Sequence, residues 1–359
     1  VNGRLAMFGL EDMKKIVYGG LVREKETGAF TFSRMTVKQY GYFTREEDAR
    51  FLVRMGCTAG ICMDFYTDSG SLEFDYEISG MSDRDIVQLD ICQNGVRTGG
   101  PAQKPGKDTV GSIHHRIDRD GHRWNRITVW LPYMSSIALK NISLAPGASL
   151  CTLEEGTPDG DFPGRIRKKL LCYGDSITQG YDALHPSQSY AVRLARYFDW
   201  ELWNAGLSGY IFDAGLLDDK LPFRPDIVTV AFGTNDWNWA ESKEEAVRNA
   251  ERYFDKIMEL YPGRPIFYFS PLWRKDTGVP TKAGEFRPFC LALLNAAKER
   301  GIETIDGYLA APHKEDALAD GILHPNDEGM ACYSEYAAKI FMKYGLTEDF
   351  WPGWFACRY

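Results

Sequence analysis

No stretch of this 359-residue chain approaches the ~18 uncharged apolar residues that a membrane span requires. Positive charge is in deficit, with 42 Lys and Arg against 50 Asp and Glu for a formal charge of −8. That balance argues against general attraction to nucleic acid or to an anionic membrane. There is no C-x-x-C pair and no G-x-x-x-x-G-K-[ST] loop to cradle a phosphate. Internal repeats and low-complexity tracts are also missing. No secretory leader is visible, although a chain that begins at Val1 is compatible with one having been removed.

Eight cysteines, from Cys57 to Cys357, are scattered through both halves. In a large chain this fits reduced, mostly buried thiols better than a disulfide scaffold, and it favours a cytoplasmic location. Apolar residues make up 44% of the chain and aromatics 13%, enough for two packed cores.

The first half reads as β-rich. Phe30–Arg34, Ile61–Tyr66, Leu72–Ile78 and Ile86–Ile91 are short runs separated by Gly, Ser, Asn and Asp. That pattern predicts an antiparallel sandwich over residues 1–160. Asp120-Gly121, between Ser112–Asp118 and Arg123–Leu131, predicts a hairpin because the dipeptide tolerates positive φ. The acidic, Gly- and Pro-rich segment Glu154–Gly164 reads as a linker or crossover loop.

Beyond it the period changes. Lys169–Tyr173, Glu201–Asn204, Asp226–Phe232, Pro265–Ser270 and Glu303–Asp306 are short buried strands with helical stretches between them. Such alternation over residues 165–345 predicts a parallel sheet with right-handed crossovers. Ser242 and Glu245 form a capping box for a helix whose apolar face runs Val247, Ala250, Phe254, Ile257 and Tyr261. A last helix is expected from about Asp327 to Tyr344, and residues 346–359 form an aromatic tail (Phe350, Trp351, Trp354, Phe355) packed against a domain.

Four motifs carry chemistry, and each falls where an open parallel sheet collects functional groups, at the carboxyl ends of strands. They are Gly174-Asp175-Ser176-Ile177-Thr178, Asn204-Ala205-Gly206-Leu207-Ser208-Gly209, Gly233-Thr234-Asn235-Asp236 and Asp320-Gly321-Ile322-Leu323-His324-Pro325-Asn326. Ser176 follows a strand on a turn that can expose its hydroxyl. A free serine is a weak nucleophile and needs an adjacent base. His324 is the candidate, because imidazole titrates near neutrality and can take and return the proton. The N–H of Ser176, the N–H of Gly209 and the side-chain amide of Asn235 are candidate donors to a developing oxyanion.

The same blocks resemble the signature of the SGNH hydrolases, the GDSL esterase superfamily, over roughly residues 168–343. The resemblance implies a three-layer α/β/α, flavodoxin-like fold, with Ser176 as nucleophile, His324 as base and Gly209 and Asn235 as oxyanion partners. The stretch Thr58–Ser69 is similar to the jelly-roll-like β-sandwich that precedes this module in some multidomain bacterial members. Members so built often remove acetyl groups from carbohydrates. The expectation is therefore a serine esterase, a carbohydrate O-acetylesterase in particular, acting on a small-molecule or glycan ester. A lipase, thioesterase or acyltransferase using the same site is the alternative, as is an inert carbohydrate-binding protein. No cofactor or metal is implied, and the oligomeric state is left open.

One position departs from the family. An aspartate usually stands three residues before the histidine, and that residue here is Gly321. Asp320 reaches the ring if the loop bulges by one residue; otherwise a Ser–His dyad operates, with a backbone carbonyl orienting the imidazole.

Other candidates have plainer readings. Asp175 and Asp236 read as structural hydrogen-bonders. His114, His115 and His122 with Asp118 and Asp120 look like a metal cluster, but strand alternation sends His114 and His115 to opposite faces, and Val129 stands where an EF-hand needs Glu. Trp237, Trp239 and Trp273 either stack on sugar faces at the site mouth or simply pack between loops.

Overall fold

The computed structural model describes residues 6–84, 87–103, 110–119 and 121–346. The aromatic tail and Asp120 lie outside the described residues. Two compact units are present, one from residues 6–34 and 53–167, the other from 35–52 and 168–346. Residues 35–52, in the half that reads as sandwich, thus belong with the second unit.

The first unit is built on two six-stranded antiparallel sheets. In one, Ser71–Met81 lies between Val110–Arg116 and Ser135–Leu144; in the other, Asn125–Trp130 lies between Cys62–Thr67 and Asp90–Gln93. Period-2 alternation decides what they share. Leu72, Phe74, Tyr76 and Ile78 face the same core as Phe65, Ile91, Ile127 and Val129 from the other sheet. Asp64 is buried in this unit, and burial alone would raise its pKa. The Arg126 fork at 2.7 and 2.9 Å and Arg167 at 3.4 Å outweigh that and hold it below the usual carboxylate range.

One expectation fails here. The strands flanking Asp120-Gly121 are not a hairpin, since Val110–Arg116 pairs with Ser71–Met81 while Asn125–Trp130 pairs with Cys62–Thr67 in the other sheet. Gly121 does adopt φ +81°, but local turn chemistry says only that the chain turns, not which strand it then meets. The segment Glu154–Gly164 is an anchored loop. Gly156 bridges Pro163, and Phe162 stacks on Tyr66 with centroids 4.9 Å apart. His114 stands 3.5 Å from Glu73 while His115 meets Thr98 at 3.2 Å, as alternation requires.

The second unit holds a five-stranded parallel sheet of β1 (Lys169–Gly174), β2 (Glu201–Gly206), β3 (Ile227–Ala231), β4 (Ile266–Phe269) and β5 (Glu303–Ile305), in the order β2-β1-β3-β4-β5. Its helices include α1 (Ser176–Gln179), α2 (Tyr190–Tyr197), α3 (Thr234–Trp239), α4 (Lys243–Leu260), α5 (Phe286–Lys298) and α6 (Asp327–Lys343). Strands covered on both faces read as unbroken apolar runs, and β4 shows why. Phe267 and Phe269 meet Phe341 and Tyr333 of α6, whereas Tyr268 between them meets Phe254 of α4. The sheet is therefore sandwiched, giving three layers. Ser242 caps α4 by accepting from Glu245 N–H at 3.1 Å, while the Glu245 carboxylate takes the Glu241 N–H at 2.7 Å. The seven described cysteines are free thiols, and no helix among the described residues is long and apolar enough to cross a membrane.

Candidate active site

The order β2-β1-β3 makes β1 the point where successive crossovers diverge, which is where open α/β sheets place their sites. Gly174, Gly206 and Ala231 end these three strands in register. The loops that follow carry Ser176, Gly209 and Asn235 and open at the same end of the sheet. Gly174 is glycine because a Cβ there would overlap Thr178 and the Ala231 carbonyl. This lets α1 start directly after β1, with Asp175 as its cap accepting from Ile177 N–H at 3.0 Å.

Ser176 is buried at the first position of α1. Its Oγ lies 2.9 Å from His324 Nε2, and His324 Nδ1 lies 2.7 Å from Asp320 Oδ2. With Nδ1 carrying the hydrogen toward Asp320, Nε2 is left as acceptor for the serine hydroxyl, a tautomer assigned from these partners. Asp320 thus reaches the ring from four residues away, by the one-residue bulge that the departure at Gly321 demands. Gly321 makes the bulge possible at φ +70°. The loop is closed by Ala319 N–H on the His324 carbonyl at 2.8 Å and by a bridge between Leu318 and Pro325.

Burial pushes the Asp320 pKa up, but hydrogen bonds from the His324 ring and from the N–H groups of Leu323 and Ile322 reverse this and hold it well below the usual carboxylate range. Asp320 is therefore a fixed anion behind the imidazole. Asp175 and Asp236 shift the other way: burial raises each to about 7, only partly opposed by backbone donors. Asp236 accepts from Phe212 N–H at 3.1 Å, which ties α3 to the loop after Gly209.

Gly209 sits at φ +69° in a turn closed by Tyr210 N–H on the Leu207 carbonyl at 3.1 Å. Neither its N–H nor that of Ser176 has a hydrogen-bond partner among the described residues. Asn235, buried at the start of α3, gives one amide hydrogen to the Tyr210 carbonyl at 2.9 Å and keeps the other. Preplaced donors of this kind can stabilise a developing oxyanion.

Two side chains, Gln179 and Asp182, were not legible as part of this constellation. Gln179 accepts from Ser208 N–H at 2.9 Å, and Asn204 gives its amide to the Thr178 carbonyl at 2.7 Å, so both brace the Gly209 turn against α1. Asp182 stands with Oδ2 3.4 Å from His324 Nδ1. Asp182, Asp320 and His324 converge closely, with Nδ1 already hydrogen-bonded to Asp320.

The tryptophans divide. Trp237 is buried, packs on Phe286 and donates to the Gly284 carbonyl at 2.8 Å; Trp273 stacks on His313. Trp239 is exposed on a cleft of about 860 Å³ whose walls include Tyr42, Phe43, Phe51, Tyr210 and Arg252. Ser176 and His324 are not among the cleft walls, although Tyr210, the residue after Gly209, is one of them.

Residues 172–332 match the family described as GDSL-like Lipase/Acylhydrolase. The salicylyl-acyltransferase of a tetracycline biosynthetic pathway is similar over 96% of this chain and 99% of its own, at 18% identity and TM-score 0.73. A putative GDSL-like lipase from Bacteroides ovatus is similar over 92% of this chain and 96% of its own, at 18% identity and TM-score 0.67. A family two carbohydrate esterase from Clostridium thermocellum, solved with cellohexaose, is similar over 92% and 99%, at 14% identity and TM-score 0.60. At such identities the likeness speaks to the fold, including the sandwich before the α/β domain. No curated protein matches the chain significantly in sequence.

Proposed function

We propose, from the match of residues 172–332 to the GDSL-like lipase/acylhydrolase family, that this protein is a serine esterase that removes small acyl groups, acetate above all, from a carbohydrate. Ser176 Oγ attacks the ester carbonyl as His324 Nε2 takes its proton. The Asp320 carboxylate holds the ring in the required tautomer and faces the positive charge it acquires. Negative charge on the carbonyl oxygen is met by the N–H groups of Ser176 and Gly209 and the Asn235 amide. His324 then returns the proton to the leaving alcohol, leaving an acyl group on Ser176. Water, deprotonated by His324, attacks this acyl-enzyme, and the carboxylic acid departs as the proton returns to Ser176.

The observation that carries the reading is the continuous hydrogen-bonded line from Ser176 Oγ through His324 to Asp320, at 2.9 and 2.7 Å. The sugar half is supported by the likeness to the carbohydrate esterases and by the exposed Trp239 ring in the cleft, where Arg252 can donate hydrogen bonds. A transferase is the second reading, favoured by the likeness to the salicylyl-acyltransferase. It differs only in which hydroxyl attacks the acyl-enzyme.

Release of p-nitrophenol from acetyl, butyryl and octanoyl esters tests the proposal. Activity that peaks at acetyl and disappears in Ser176→Ala supports it; preference for octanoyl would point to a lipase. Acylated sugar appearing at the expense of free acid, once acceptor alcohols are added, would favour the transferase.

A further inference from the structure

We propose that Asp182 is a second positioning carboxylate for His324, sharing the ring with Asp320 from a different loop; this rests on the esterase reading. Asp182 Oδ2 lies 3.4 Å from Nδ1, with the Asp182 side chain only 13% exposed. At that distance it does not compete with Asp320 for the single Nδ1 hydrogen, since good N–H···O bonds end near ~3.2 Å. It lies well within ion-pair reach. Its effect on the ring is therefore slight while the imidazole is neutral, and grows as the serine proton arrives and the ring becomes a cation. A group that acts mainly on the charged ring lowers the barrier more than the ground state.

The backbone points the same way. Asp182 is at φ +63°, a left-handed conformation that only Gly adopts freely and that Asp and Asn tolerate best among the others. The loop is pinned on both sides. Gly180 and Tyr181 N–H groups bond the Ser176 carbonyl at 3.0 and 2.9 Å, and Leu184 N–H bonds the Asp327 carboxylate at 2.6 Å. Tyr181 is buried with its ring centroid 5.7 Å from that of His324. The carboxylate is thus delivered to the imidazole by the loop that directly follows the nucleophile's helix.

The two acids are held differently. Asp320 Oδ1 already accepts the N–H groups of Ile322, Leu323 and His324 at 2.9, 2.8 and 3.1 Å, so Asp320 is locked to its own loop. If that side chain is lost, Asp182 is the remaining acid beside Nδ1. The other groups facing the ring are the Ser176 hydroxyl and the Tyr181 ring, with buried Asp175, itself influenced by Arg274, acting on it electrostatically.

The test compares kcat, KM and the pH profile of kcat/KM from pH 5 to 9 on p-nitrophenyl acetate for wild type, Ser176→Ala, Asp182→Asn, Asp320→Asn and the double variant. Asn keeps the left-handed backbone and removes only the charge. Asp182→Asn should lower kcat about tenfold, leave KM within about twofold and move the acid limb to lower pH by about half a unit. The double variant should lose at least about tenfold more than the product of the single losses, because each acid covers for the other. An acid limb that stays in place, or an Asp320→Asn enzyme already as slow as the double variant, would overturn the role of Asp182. A lowered Tm with an unmoved limb would do the same, marking a purely structural residue. Activity that survives Ser176→Ala would instead sink the esterase reading and this proposal with it.

Discussion

Asp320 binds His324 twice: Oδ2 takes the ring Nδ1 at 2.7 Å while Oδ1 takes the backbone N–H of the same residue at 3.1 Å. The five-residue loop is thereby folded around the acid, and the imidazole is positioned by its own neighbours before substrate arrives. Replacing Asp320 by Asn should remove the charge and weaken the tautomer preference. We expect kcat to fall by about 10²–10⁴, less than for loss of the nucleophile, with Tm reporting how far the loop has loosened.

The geometry makes Gly321 testable by itself. A methyl group there meets nothing within 4 Å, but the residue sits at φ +70°. Gly321→Ala should therefore cost only about 1 kcal/mol in stability, from backbone strain. Because Asp320 reaches the ring only through this bulge, kcat should drop by about tenfold or more. A variant with full kcat would show that the bulge is dispensable.

Asn235→Ala removes an amide that both faces the site and ties Tyr210 in place. Loss of one oxyanion donor costs about 10²–10³ in kcat. Steady-state kinetics should show that loss in kcat and not in KM; a defect confined to KM would assign Asn235 to ground-state binding.

The buried carboxyl of Asp236 predicts a pH effect on stability whose sign can be worked out. Its folded pKa is raised to about 7, and Oδ2 is buried without a hydrogen-bond partner among the described residues. A raised carboxyl stabilises fully below its unfolded pKa of about 4, and that contribution is lost as pH rises through the folded value. Wild-type Tm should therefore decline between pH 5 and 8, while Asp236→Asn, which cannot ionise, shows a flatter curve. The difference amounts to roughly 1–4 kcal/mol across the window. Parallel curves would mean that Asp236 does not titrate there.

Much of the second unit was legible because parallel strands buried on both faces appear as apolar runs ending in small or polar residues. Ser176, Gly209, Asn235 and His324 stand at such ends or in the loops leading into helices. Asp182 was not legible, because nothing local to Gly180-Tyr181-Asp182 states that His324 will come to rest beside it. The hairpin at Asp120-Gly121 failed for the same reason, since strand pairing is a long-range choice. The helix Val37–Tyr42 did leave a signal: Thr36 and Gln39 form a reciprocal capping box, with Gln39 N–H on the threonine hydroxyl at 3.2 Å and Thr36 N–H on the glutamine at 2.9 Å.

That helix also sets an order of events during synthesis. Thr36 bonds buried Asp218 at 2.6 Å, and Phe43 and Phe51 pack on Tyr210, so residues 35–52 are made long before the partners that complete them. On the ribosome this segment must wait, with aromatic side chains uncovered, until more than a hundred intervening residues have emerged. The early segment is where a holding chaperone would be most useful, and a fragment started at residue 168 would lack one wall of its own domain.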